Sequence, residues 1–361
     1  MGLTISIILV LLGFYYKNNK KIVNLQFLWI WILISFNNGG VDYEGYLGMF
    51  KTFSSNLNFN FFLEGRLYWL GSYLFNKMNF SFEVYTIVTT TIALSILYYL
   101  IKKYSLNFSF VNSCLILYPL VDNIIQKRNF LSMTAILYGM SILISKKKYY
   151  IFKYFFLVFI AYHFHVLGIV YILFVIIPYF SLKSIKIISY IGLVIMTMIS
   201  FKLNDIAKIL FFFVPSKVNL YFEDLSGRLP FIKVLFFVFI HLLMFWFVLF
   251  FYKKLKNKDN FSISILKINY LFLTIIPLYY YNSTFLRFYR NIFLLNYIFI
   301  GNCVIINKFE NKSNKFLQKI FIIYVIGLSM TYMLLGNFKY KGLVEPLFKN
   351  NYIINFLESI L

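Results

Sequence analysis

The residues able to do chemistry in this sequence are few, and they are not the set a soluble enzyme would use. Of 35 lysines and arginines, the arginines are Arg66, Arg128, Arg228, Arg287 and Arg290. A guanidinium is a planar, permanently charged fork that grips phosphate or carboxylate through two parallel hydrogen bonds, which a point-like ammonium cannot do. Arg66 and Arg228 each have an acid close by in sequence, Glu64 and Asp224, with which they could simply pair. Arg128, Arg287 and Arg290 stand at the ends of apolar runs with Asp122 as the one local acid, where a charge is costly unless it faces a cavity. That pattern calls for an anionic ligand.

The second group is imidazole. In "FIAYHFHVLG", residues 159–168, His163 and His165 interrupt a run with almost no other polar side chain. Spaced i and i+2 they would point to different sides of a helix, so they do not readily share a metal. His241 lies in a distant apolar run with no acid beside it and reads as a packed or interhelical hydrogen-bonding residue. No metal site is expected. An imidazole at the end of a membrane span suits proton exchange near neutral pH, or a hydrogen bond to a phosphate oxygen as it gains charge. His165 is favoured for such a role and His163 for packing. Cys114 and Cys303 both fall in apolar stretches and read as buried thiols.

The elements that must position these groups are membrane helices. The chain is 61% hydrophobic and 22% aromatic, with a mean hydropathy of +0.77, well outside the range of a soluble domain of 361 residues. Apolar runs between charged breaks give twelve candidate spans, near 2–16, 22–36, 82–101, 106–121, 130–145, 149–162, 164–180, 185–201, 230–252, 263–281, 291–306 and 320–336. The first has its charges after it and no cleavage site, so it reads as a retained span. The stretch 149–180 is too long for one span and is split at the histidines. With that split, the lysine clusters at 17–21, 102–103, 146–148, 183–186, 253–258 and 307–319 share one side, which the positive-inside rule makes cytoplasmic. Ten of the 12 acidic residues, all five arginines and both termini then lie outside. The net charge of +23 follows from topology and anionic lipid, without nucleic acid.

The outer face is thus the presumed working face of a single integral domain, 1–361, assembled from loops 37–81, 122–129, 202–229 and 282–290 and the tail 337–361. The loop "NNGGVDYEGYLGMF" (37–50) brings Asp42, Tyr43 and Tyr46. "FFLEGRLYWLGSYLF" (61–75) reads as an amphipathic helix on or dipping into that surface. Aromatic faces beside carboxylates and amides are what sugar rings usually meet.

With these residues in view, the chain resembles the EpsG family of exopolysaccharide and capsule polymerases, relatives of the Wzy polymerases. Gly40-Val41-Asp42-Tyr43, with Tyr46 after it, is similar to the family's Gly-x-Asp-Tyr element. Glu64-Gly65 follows at a similar distance. Arg128-Asn129 stands where the family has Arg-Gln, so the amide is kept but shortened. "AYHFH" resembles Ala-x-x-Phe-His through Ala161, Phe164 and His165, leaving His163 outside, and Arg287 resembles a later family arginine.

The resemblance implies about twelve transmembrane helices like those of membrane-embedded, lipid-dependent glycosyltransferases. The implied reaction is metal- and cofactor-free polymerisation of undecaprenyl-diphosphate-linked repeat units at the outer face of the bacterial cytoplasmic membrane. Donor and acceptor glycans and membrane lipid would be its partners, alongside a flippase and a chain-length regulator. Arg128 and Arg287, with Arg290 in support, would take the charge on the leaving diphosphate. His165 or Asp42 would accept the acceptor hydroxyl's proton. Tyr43, Tyr46, Glu64, Arg66, Asn129 and Arg228 would hold substrate.

Other classes stay open. A glycan ligase would share the leaving-group chemistry and differ in acceptor. A flippase or transporter of the lipid-linked unit would show mid-membrane charges or repeats with broken helices, of which the sequence has few signs. Clustering of rare residue types on one face argues against an inert scaffold.

Overall fold

The computed structural model describes residues 1–52, 65–200, 230–306, 312–334 and 344–360, and among these the regular structure is helical save one isolated bridge between Asn37 and Asn351. In chain order the helices are α1 (Gly2–Tyr15), α2 (Lys20–Ser35), α3 (Tyr43–Thr52), α4 (Arg66–Lys77), α5 (Phe82–Tyr104), α6 (Phe108–Leu117), α7 (Leu120–Ile125), α8 (Lys127–Ser145) and α9 (Tyr150–Phe164). A 3-10 segment, Val166–Ile176, precedes α10 (Leu182–Ser200), α11 (Phe231–Lys254) and α12 (Asn260–Phe272). Two further 3-10 pieces, Leu273–Tyr280 and Ser283–Phe285, lead into α13 (Leu286–Arg290), then α14 (Phe293–Ile306), α15 (Lys312–Leu334), α16 (Glu345–Lys349) and α17 (Tyr352–Ile360).

Each of the twelve apolar runs meets one of these elements. Among the described residues four segments are long and apolar enough to cross a membrane by themselves: Phe82–Tyr104, Leu182–Ser200, Phe231–Lys254 and Asn260–Tyr280. Five further apolar helices are shorter, Gly2–Tyr15, Phe108–Leu117, Tyr150–Phe164, Val166–Ile176 and Phe293–Ile306, and one reason is that runs hydropathy treats as continuous are broken by the backbone. Residues 106–121 divide at Tyr118 and Pro119 into α6 and α7, and α6 is only roughly 15 Å long at 1.5 Å per residue. The molecule is an all-α polytopic membrane protein, but helix length does not establish the count of twelve.

Side-chain patterning sorts the helices. On α10, Ile187, Tyr190, Ile191, Val194, Ile195 and Met198 are exposed at three- and four-residue spacing, an apolar stripe suited to lipid. By contrast α14 is buried continuously from Phe293 to Gly301 and runs through the core. Short polar residues start the helices. Asn19 accepts from Lys21 N at 3.0 Å, Ser81 from Val84 N at 3.4 Å and Asp259 from Ser262 N at 2.9 Å.

The break at the histidines is real. Helix α9 ends at Phe164, His165 is extended (φ −154°, ψ 129°), and the 3-10 segment runs back alongside. Tyr154 Oη donates to the Tyr171 carbonyl across the pair. The return is this tight because residue 168 is glycine: a Cβ there would stand 2.6 Å from the Ala161 carbonyl carbon.

The segment 37–50 is not the loop its composition suggests. Tyr43–Thr52 is helical, because Tyr43, Tyr46 and Phe50 line one buried face and outweigh the poor propensity of Gly45 and Gly48. The amphipathic helix expected over 61–75 is present from Arg66 onward, burying Tyr68 and Ser72. Residues 61–64 and the 202–229 loop lie outside the described residues.

Basic segments gather at one end of the bundle. Asn18 Nδ2 donates to the Leu106 carbonyl, Lys103 Nζ bonds Ser141 Oγ at 2.9 Å, and Lys146 Nζ bonds the Pro178 carbonyl at 3.2 Å. The tail docks at the other end, where Asn38 N donates to Asn350 O at 2.9 Å and Tyr352 N to Phe36 O at 3.1 Å.

Candidate active site

Two segments remote in sequence are laced together at the end away from the lysines. Arg290, last residue of α13, places Nη1 2.5 Å from Asp122 Oδ1 and Nη2 2.8 Å from Gln126 Oε1, and both members of the ion pair are buried. One residue further on, Asn291 and Asn129 exchange side-chain hydrogen bonds of 3.2 Å in both directions. Tyr171 Oη donates to the Phe288 carbonyl at 2.8 Å from below. Tyr289 stacks face to face on His241, with ring centroids 3.6 Å apart, and donates to Asn269 Oδ1 at 2.5 Å. The start of α8 and the short α13 are therefore fixed relative to each other.

That lacing carries Arg128 and Arg287, which flank it. Both guanidinium groups act on the Asp42 carboxyl. Surrounding protein mass raises the Asp42 carboxyl above its ordinary value, and Arg287 followed by Arg128 opposes that rise. Tyr46, buried on α3, hydrogen-bonds Arg128, and its hydroxyl is raised chiefly by burial. Trp69 places its ring 5.4 Å from the Arg128 guanidinium carbon, a cation–π arrangement. Gly65 caps α4 in the left-handed region (φ 76°), and a Cβ on it would come within 2.6 Å of Arg128 Nη1. Tyr46, Tyr68 and Trp69 form an aromatic wall beside this charge cluster.

His165 caps the returning 3-10 segment: its Nδ1 accepts from Leu167 N at 3.3 Å. The neutral tautomer compatible with that bond carries its proton on Nε2 and so presents a donor. His163 is buried against Phe159 and Tyr162, near enough to Arg66 to feel its charge. Tyr43 donates to Glu83 Oε1 at 3.1 Å, to which Tyr352 Oη also donates at 3.5 Å. Glu64 and Arg228 lie outside the described residues. His241 is an interhelical residue, bonded to Tyr279 Oη at 2.6 Å. Cys114 and Cys303 are buried free thiols. Among the described residues no group of three or more His, Cys, Asp or Glu could hold a metal.

Sequence reasoning passed over Lys127, Gln126, Trp69 and Asn291. Lys127 is buried, and among the described residues its Nζ has no hydrogen-bond partner. Its place beside Arg128 was the available signal.

The EpsG family model matches residues 20–344, nearly the whole chain. The chain belongs to the EpsG family. EpsG is a Wzy-like polymerase family, and membership carries a polymerase-type glycosyltransferase activity on polysaccharide in a multi-pass membrane protein. No curated protein and no solved structure matches the chain. The EpsG match spans both laced segments, so Asp42, Arg128, His165 and Arg287 all fall inside the family region.

Proposed function

We propose that this EpsG protein joins undecaprenyl-diphosphate-linked oligosaccharide repeat units into exopolysaccharide or capsule at the outer face of the cytoplasmic membrane. What supports this reading is that the charges of Arg287 and Arg128 both act on the Asp42 carboxyl, with the Trp69 ring 5.4 Å from Arg128. In the proposed step the acceptor hydroxyl oxygen attacks the anomeric carbon of the donor while the bond from that carbon to the diphosphate oxygen breaks. The bonding pair leaves with the diphosphate, whose new charge Arg128 and Arg287 receive. The hydroxyl proton passes to the Asp42 carboxylate.

Between the two candidates for that proton, the cap favours Asp42. His165 Nδ1 is occupied by Leu167 N, so His165 serves as a donor to substrate oxygen. Arg290 acts from behind, holding α13 against Asp122. Tyr46 and Trp69 supply sugar-stacking faces, and Tyr43, Glu64, Arg66, Asn129 and Arg228 are assigned to substrate holding on the sequence pattern alone. On this reading the chain is one integral domain whose described parts of 37–81, 122–129, 282–290 and 337–361 are assigned to the exterior, while the 202–229 loop given the same place by sequence lies outside the described residues.

The test is reconstitution. Purified protein given its lipid-linked repeat unit should produce a ladder of longer glycans on a gel, and Arg128→Ala, Arg287→Ala or His165→Ala should leave the single unit unextended. Absence of a ladder from the wild type, with transfer of the unit across vesicles instead, would replace the polymerase reading by a transporter.

A further inference from the structure

At the lysine-rich end, far from the arginines, two ammonium groups converge on one turn. Lys146 ends α8 in the left-handed region (φ 46°) and donates to the Pro178 carbonyl at 3.2 Å. Lys267, two turns into α12, donates to the Ile177 carbonyl at 3.1 Å and the Phe180 carbonyl at 2.7 Å. These are the end carbonyls of the returning segment that begins at His165, and capping them is one use of the lysines. It does not use them up. An ammonium has three donors, so Lys146 keeps two and Lys267 one.

Neither ammonium has a carboxylate partner among the described residues, and the nearby Asp259 is committed to Ser262. Two like charges brought to one turn without a counter-ion are unfavourable until an anion arrives. A cavity of about 40 Å³ lies between them, with Leu143, Ile144, Ile177 and Ile263 as apolar wall and Asn260 and Ser264 as polar lining. A single water needs roughly 10–15 Å³ on that measure, so the space suits a group of several heavy atoms. Two cations and an amide share the lining with apolar side chains, at the end of the bundle where basic loops gather, and that combination suits a phospholipid's phosphate over the start of its chains.

We propose that the pocket between Lys146, Lys267, Asn260 and Ser264 binds the phosphate of an anionic phospholipid. Seated there, the lipid ties the end of α8 to the start of α12 and to the turn at 177–180.

The test uses the full-length protein in detergent, with phosphatidylglycerol, phosphatidylcholine and inorganic phosphate as probes. Native mass spectrometry should show phosphatidylglycerol retained on the wild type, and the same lipid should raise its thermal midpoint. Lys146→Gln with Lys267→Gln should weaken retention by roughly tenfold or more, while Lys256→Gln on the neighbouring loop leaves it unchanged. Because the double variant also loses two caps, Ser264→Phe serves as a second probe: it fills the cavity, keeps both lysines, and should abolish retention as well. Phosphatidylglycerol retained at the wild-type level in the double variant or in Ser264→Phe overturns the site. So does retention of phosphatidylcholine as strong as that of phosphatidylglycerol, or the full effect with inorganic phosphate alone.

Discussion

Arg290 and Asp122, 168 positions apart in the chain, meet in a buried ion pair of 2.5 Å that ties the arginine-bearing turn α13 to the segment leading into α8. The side chains are 4% and 6% exposed, so neither charge is relieved by water. Asp122→Ala would leave the guanidinium buried and poorly compensated, at a cost of about 3–5 kcal/mol. Replacing both, as Asp122→Leu with Arg290→Met, should recover most of that loss. Thermal unfolding of the two single variants and the double variant checks this: destabilisation that simply adds would mean the two residues do not act as a pair.

Gly65 controls the seat of Arg128. Gly65→Ala forces a side chain into the left-handed region, costing roughly 1–2 kcal/mol, and its Cβ pushes on Arg128 Nη1. Polymer formation should therefore fall more steeply than stability, while Gly45→Ala on α3, where a Cβ meets nothing within 4 Å, should leave activity intact. Equal activity in both variants would show that Arg128 keeps its place without the glycine.

The Asp42 carboxyl lies above its ordinary value because of burial, with Arg287 and Arg128 pulling it down. As a proton acceptor it must be ionised, so activity is lost as pH falls through its raised pKa, above the roughly 3.9 of an unperturbed aspartate. Removing a cation that lowers this pKa moves the acid limb upward. Conservative Arg287→Gln should shift the limb to higher pH in whatever activity remains, and Asp42→Asn should remove the limb. A limb unmoved by Arg287→Gln would assign it to another group.

Lys127 is a buried ammonium whose Nζ lacks a hydrogen-bond partner among the described residues. Such a charge is unfavourable in the resting protein, and Lys127→Met should stabilise it by about 1–4 kcal/mol. If the ammonium meets substrate phosphate, the same variant should lose polymer formation. A variant both more stable and fully active would make Lys127 a purely structural residue.

How much of this was legible in the sequence follows from the range of each interaction. The apolar runs and the break at His163 and His165 are local or compositional, and each has its counterpart in the helices and the hairpin at Gly168. Asp122 could be named as the nearby acid, but not that it would take Arg290 and leave Arg128 and Arg287 to Asp42. That choice depends on Asn129 meeting Asn291 across 162 positions, a register no local pattern encodes. Helix α3 was hidden for a related reason: its glycines lower propensity, and what favours it is burial of Tyr43, Tyr46 and Phe50 against distant partners such as Phe82 and Tyr68. The count of twelve spans is not established by helix length, in part because irregular backbone at Pro119 divides a run that hydropathy joins.

The most direct measurement is the affinity of purified protein for undecaprenyl diphosphate without sugar, compared across wild type, Arg128→Ala, Arg287→Ala and Lys256→Gln. Loss of a charge-assisted phosphate contact should weaken binding by about tenfold or more in each arginine variant, with the remote lysine variant unchanged. Wild-type affinity in both arginine variants would contradict the claim that Arg128 and Arg287 grip the carrier's diphosphate.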